Sequence, residues 1–100
     1  MQTRPTPEAI LAAVYTAVDR VNQTLTPERR IPKAPDTRLI GAGGHLDSLG
    51  AVNLIVETEL AVEEQLGRAI NLGDEKAAMQ KVHPLESIAT LAHYITSLLQ

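Results

Sequence analysis

Apolar residues recur at Ile10, Leu11, Val14, Val18, Val21 and Leu25. These three- and four-residue steps lay one stripe along a helix of about five turns. Its start is marked three ways: Thr6 can cap, Pro7 suits the first helical position because its missing N–H would be unpaired there, and Glu8 faces the positive end of the dipole. Pro27 ends the helix at the latest. The pattern then lapses. Residues 26–46 hold Pro27, Pro32, Pro35, Gly41, Gly43 and Gly44, which predicts a long loop pinned to the core by Ile31, Leu39 and Ile40. A structureless stretch of that length is uncommon in a small domain and is usually functional.

A second helix fits residues 46–66, which contain no proline and one glycine, Gly50. Asp47 or Ser48 would cap it and Gly67 would terminate it. Asn71-Leu72-Gly73-Asp74 reads as a turn, with Asp74 capping a short helix through residues 75–79. His83-Pro84 is expected to open a last helix, with Leu85, Ile88, Leu91, Ile95 and Leu98 spaced for burial. The expected fold class is all-α: a small four-helix bundle of three longer helices and one short one, with a long loop after helix 1, formed by a single domain over residues 1–100.

The second helix has two apolar faces. Ala51, Leu54, Ile55, Thr58, Val62 and Leu66 share one side, an ordinary core face, while Leu49, Val52, Val56 and Leu60 share the other. Glu57, Glu59, Glu63 and Glu64 lie around the second stripe, and no Lys or Arg occurs between residues 46 and 66. A helix apolar all round is usually buried. A bundle this small has little material with which to surround one helix, so the alternative is a docking surface that adds carboxylates to apolar contact area.

Composition narrows the choices. Of the 100 residues, 44% are hydrophobic, yet there is no Phe, no Trp, no Cys and only two Tyr. An apolar stock led by Leu and Ala, with almost no aromatics, favours packed helices over a β-sandwich. The lack of cysteine removes disulfides, zinc-thiolate sites and a thiol nucleophile. Nine basic against twelve acidic residues give a net charge of −3, which argues against nucleic acid as a partner. No apolar run is long enough to span a membrane, and Met1-Gln2-Thr3-Arg4-Pro5 lacks the apolar core of a signal peptide, so the expected setting is the cytoplasm and the expected state a monomer.

Residues Gly41-Ala42-Gly43-Gly44-His45-Leu46-Asp47-Ser48-Leu49-Gly50 place a glycine loop, an acid and a hydroxyl at a helix N-terminus, where free N–H groups and the dipole favour phosphate. The plain alternative is that Ser48 is only a cap. Enzyme motifs fail on the letters. A nucleophile elbow needs glycine at position 46, which is Leu, and a P-loop needs a Lys that is absent. His45, His83 and His93 form no metal-binding pair, so no metal site is expected, and nothing orients His45 as a base toward Ser48. No catalytic residue is assigned and the chain is read as a non-enzyme. A well-placed hydroxyl without activating machinery is better read as another enzyme's substrate.

Leu46-Asp47-Ser48-Leu49, followed by Val52, Leu54, Ile55 and a glutamate-rich helix, resembles the acyl carrier proteins, as does the closing Pro84-Leu85-Glu86-Ser87-Ile88-Ala89-Thr90-Leu91-Ala92-His93-Tyr94-Ile95. The likeness covers about residues 8–99. It implies 4′-phosphopantetheine on Ser48, installed from coenzyme A by a separate magnesium-dependent phosphopantetheinyl transferase. The arm's thiol would carry acyl groups as thioesters between enzymes of fatty acid, lipid or related biosynthesis. Asp47 and Leu49 would flank the attachment point, and Val52, Val56, Glu57, Leu60, Glu63 and Glu64 would meet partner enzymes that transfer or modify the acyl group. Cargo would sit between helices whose core, free of bulky aromatics, can part to admit it.

This chain departs from that family in carrying Gly50 and Asn53 where acids often follow the serine, in a second helix about one turn longer, and in a first loop with Arg29, Arg30, Lys33 and Arg38 against Glu28 and Asp36. The basic loop is either simply solvated or a source of different partners. Two other readings stay open. One is a helical interaction module without a prosthetic group, docking through Leu49, Val52, Val56 and Leu60. The other is a peptidyl or aminoacyl carrier, to which the Leu-Asp-Ser-Leu motif is less similar.

Overall fold

The computed structural model describes residues 5–41, 43–73 and 83–99. Among these, the chain is all-α, with three α-helices: α1 (Pro7–Asn22), α2 (Ser48–Leu66) and α3 (Ile88–Leu98). The short helix expected at 75–79 lies outside the described residues.

α1 starts where the local signals place it. The Ala9 N–H donates to Thr6 Oγ1 at 3.1 Å and Pro7 takes the first turn. Its stripe buries Ile10, Val14, Val18 and Val21, with Ala13 and Ala17 filling the close approach between helices. The helix stops at Asn22, one turn before the apolar pattern does, because the Thr24 hydroxyl and the Thr24 N–H both donate to Val21 O. Leu25 stays partly buried against the core from outside the helix.

α1 packs against both α2 and α3, while α2 and α3 barely touch each other. α2 contributes Leu54, Thr58, Ala61 and Val62, and α3 contributes Ile88, Leu91, Tyr94 and Ile95. Gly67 ends α2 in the left-handed conformation, at φ 66°, with its N–H donating to Glu63 O.

α3 begins later than expected. His83 and Pro84 form a turn, closed by Glu86 N–H donating to His83 O at 2.9 Å. The helix is capped instead by a reciprocal pair: Thr90 N–H donates to Ser87 Oγ and Ser87 N–H donates to Thr90 Oγ1. Proline's preference for a first helical turn suits a tight turn equally well, so it misplaced the start by about one turn.

The long loop is a stitched strap. Leaving α1, Asn22 brackets the backbone of Ile31, donating to its carbonyl at 3.0 Å and accepting from its N–H at 2.7 Å. A 3₁₀ turn spans Pro27–Arg29. Further on, Ile88 N–H donates to Thr37 O and Leu39 N–H to Glu86 O, an antiparallel bridge between the loop and the entry to α3. Leu46 N–H then donates to Leu39 O at 2.9 Å and delivers the chain to α2. Ile31 and Leu39 are buried and Ile40 half-buried, as the sequence leads one to expect.

One buried polar atom has no hydrogen-bond partner among the described residues, the Thr58 hydroxyl, on a residue with no exposed surface. An unsatisfied buried hydroxyl costs about 1–3 kcal/mol, and Val reproduces the shape without it. Thr58→Val is therefore expected to raise stability by about 1 kcal/mol, measured by denaturant unfolding. A loss of stability would mean that the hydroxyl is satisfied.

Candidate functional site

The segment from Leu39 to Ser48 is shaped by backbone. Gly44 N–H donates to Gly41 O, closing a turn in which Gly41 and Gly43 adopt φ of 82° and 77°. Gly44 is required for a different reason: a Cβ there would lie 2.7 Å from the Ile40 carbonyl carbon and 2.8 Å from Leu39 O. The turn thus folds flat onto the loop it came from. His45 is spent on the same loop, since its Nδ1 donates to Arg38 O at 3.0 Å. This bond ties the ring to the loop and fixes the proton of the neutral ring on Nδ1.

Asp47 and Ser48 divide the work at the start of α2. Asp47 is the N-cap, its Oδ1 accepting from Gly50 N–H at 2.7 Å. Ser48 is the first helical residue, exposed, with its hydroxyl not used for capping. The reading of Ser48 as merely a cap is therefore overturned. The other oxygen of Asp47, Oδ2, lies 3.9 Å from Arg29, whose loop reaches back over the site.

Beside Ser48 opens a cavity of about 650 Å³. Its depth is apolar, with buried Leu72, Leu85 and Leu91. Half-buried Leu46, Ala51 and Ile55 form a wall, and exposed Asp47, Ser48 and His83 lie at the rim. It occupies the gap between α2 and α3 that their few contacts leave. None of this is visible as a motif, because the lining comes from four separate stretches of chain.

The second stripe of α2 is exposed: Leu49 by 69%, Val52 by 54%, and Val56 and Leu60 by 47% each. It is not a core face. The surrounding carboxylates are less free than the sequence suggests. Arg20 of α1 sits 2.8 Å from Glu64 and 3.8 Å from Glu57. Glu59 accepts from Leu72 N–H at 2.8 Å and so anchors one lip of the cavity. Glu63 is exposed. Three of the four basic loop residues also face carboxylates: Arg29 with Asp47, Lys33 with Asp19 and Arg38 with Glu86. Sequence spacing offers no signal for the Arg20 pairs, which form only because α1 crosses α2.

Compared with protein-family models, with curated proteins and with solved structures, the chain matches none. Among the described residues no helix is long and apolar enough to cross a membrane.

The capping geometry makes an asymmetric prediction. Asp47→Ala should cost about 1 kcal/mol, the usual loss for an N-cap, whereas Ser48→Ala should change stability by less than about 0.5 kcal/mol. Thermal unfolding of the two variants side by side checks this. The reverse order would return the capping role to Ser48.

Proposed function

We propose that this chain is an acyl carrier, a small four-helix bundle in which Ser48 bears 4′-phosphopantetheine. The observation that carries the reading is Ser48 itself: an exposed hydroxyl, relieved of capping by Asp47, on the rim of a largely apolar cavity. The residues fit the group. A phosphodiester on Ser48 Oγ would lie at the N-terminus of α2, where first-turn N–H groups and the helix dipole favour negative charge. The prosthetic group supplies a thiol, which this cysteine-free chain lacks, and holds acyl groups as thioesters.

The chain's own residues supply placement and shelter. The turn at Gly41–Gly44 and the Leu39–Leu46 bond present Ser48 outward. The apolar depth around Leu72, Leu85 and Leu91 removes a hydrocarbon chain from water, at about 25 cal/mol per Å² of apolar surface covered. The stripe from Leu49 to Leu60, starting one residue after the attachment point, meets the transferase and the enzymes that load and unload cargo.

Incubation with coenzyme A, magnesium and a phosphopantetheinyl transferase is expected to add one phosphopantetheine mass, and Ser48→Ala to remain unmodified while folded. Modification elsewhere, or none with several transferases, would refute the carrier. The exposed stripe equally suits an interaction module without a prosthetic group, and that reading requires Ser48→Ala to leave biological function intact.

Because Glu57 and Glu64 already face Arg20, docking should rest on apolar contact more than on charge. Leu49→Ala is expected to lower transferase kcat/KM about tenfold and Glu64→Gln less than threefold, in line with apolar hot spots against exposed ion pairs. The opposite ranking would restore charge steering to the leading role.

A further inference from the structure

Resting on the carrier reading, attachment of the arm adds a charge beside one already there. The phosphodiester is an anion joined through Ser48 Oγ. The residue before it is also an anion: Asp47 is exposed, and its Oδ1 is committed to Gly50 N–H at 2.7 Å. Loading the arm therefore sets two negative charges on successive residues at the start of one helix. Like charges that close repel even in water.

A cation reaches this point from the strap. Arg29 Nη2 lies 3.9 Å from Asp47 Oδ2, the carboxylate oxygen that does not cap the helix. That contact is longer than a hydrogen bond, so it does not use up the N–H donors of the guanidinium. The backbone, not this contact, sets the place of Arg29. Its N–H donates to Thr26 O at 2.9 Å, closing the 3₁₀ turn, and two residues on Ile31 is bracketed by Asn22. Asp47 lines both the cavity that holds Ser48 and a hollow of about 240 Å³ that holds Arg29. Ser48, Asp47 and Arg29 thus follow one another along one surface, and the Arg29 side chain is 64% exposed, with room to move. Lys33 and Arg38, on the same loop, face Asp19 and Glu86 instead, and among the described residues no carboxylate pairs with exposed Arg30.

We propose that Arg29 is the counter-ion of the phosphodiester on Ser48. Its guanidinium bridges Asp47 Oδ2 and a non-bridging phosphate oxygen, donating N–H to the phosphate from the planar fork that suits such oxygens. Arg29 is a positioning residue. It offsets the repulsion between Asp47 and the phosphate, and it ties the root of the arm to the strap that leaves α1.

The test uses the full chain, unmodified and with the bare arm, as wild type, Arg29→Gln, Arg29→Lys and Arg30→Gln. Loading is driven to completion with excess phosphopantetheinyl transferase and confirmed by intact mass. Two quantities are read: the phosphorus NMR shift of the arm, and the change in melting temperature on loading. In low salt that change should lie about 2–5 °C higher in the wild type than in Arg29→Gln, the shift of one surface charge pair in a domain this size. The difference should shrink in about 1 M salt, where the Debye length falls to about 3 Å. Comparing loaded with unloaded protein within each variant cancels the loss of the Asp47 pair itself. The phosphorus resonance should move in Arg29→Gln and keep its wild-type position in Arg30→Gln, which removes the same charge one residue along. Arg29→Lys should restore the thermal difference in part, since Lys keeps the charge but not the fork. An unmoved phosphorus resonance in Arg29→Gln, or equal changes on loading in the wild type and Arg29→Gln, overturns the proposal while the carrier reading stands. Equal effects of Arg29→Gln and Arg30→Gln also overturn it, because Arg29 is then only one of several diffuse loop charges. A wild type that takes no arm refutes the carrier reading first, and this inference with it.

Discussion

The backbone of Leu39 is the point on which the arrangement turns. Its N–H donates to Glu86 O at the entry to α3, and its carbonyl accepts from Leu46 N–H at the entry to α2. Its side chain is fully buried. One residue in the middle of the long loop therefore ties together the starts of two helices that otherwise have little contact. Without that tie, α1 would be the main support that the described residues of α2 and α3 share, and the rim of the cavity would lose a hold that keeps it in register with Ser48. A loop rich in proline and glycine is the right material for such a strap. It has few competing backbone conformations, and glycine at 44 permits an approach to the Ile40 backbone that any side chain would block.

The cavity follows from the same economy of contact. α1 presents alanines at 13 and 17 with valines at 14, 18 and 21, and it takes both other helices closely. α2 and α3 each lie against α1 rather than against each other. The space left between them is closed by Leu72 and Leu85 from the connecting segments, and Glu59 fixes one of those segments through the Leu72 N–H. A bulky aromatic core would have filled this gap. The aliphatic stock of the chain, with no Phe and no Trp, leaves it open.

Most of α1 and α2 is legible in the sequence because their signals are local. Thr6, Pro7, Asp47 and Gly67 act within one turn of where they stand, and periodicity separates the face of Leu54, Thr58 and Val62 from the stripe of Leu49, Val52, Val56 and Leu60. The start of α3 was hidden by a proline whose local preference suits a turn and a helix alike. The Ser87–Thr90 cap, with Thr where Glu is the usual partner, gives a weaker written cue than Pro84. Composition, with no Phe and no Trp, hints at room between the helices, but the lining of the cavity and the Arg20 pairs have no written cue. They depend on how helices far apart in sequence cross, and spacing along one chain says nothing about that.

The charge pattern also changes meaning between one dimension and three. Along the sequence, α2 carries four glutamates and no base, with Asp47 just before it, which reads as an acidic docking helix. In space, Arg20 stands between Glu57 and Glu64, and Arg29 stands near Asp47. These pairs lie at the surface, with Arg20 and Glu57 half-buried and Glu64, Arg29 and Asp47 exposed, and surface pairs are worth at most about 1 kcal/mol each, so a basic partner can displace Arg20. Displacement lowers the net gain from every such contact, because a pair must be broken for a pair to form. The apolar stripe meets no such competition. Leu49, Val52, Val56 and Leu60 are in water until something covers them, so their burial is the larger uncommitted source of binding free energy on this face.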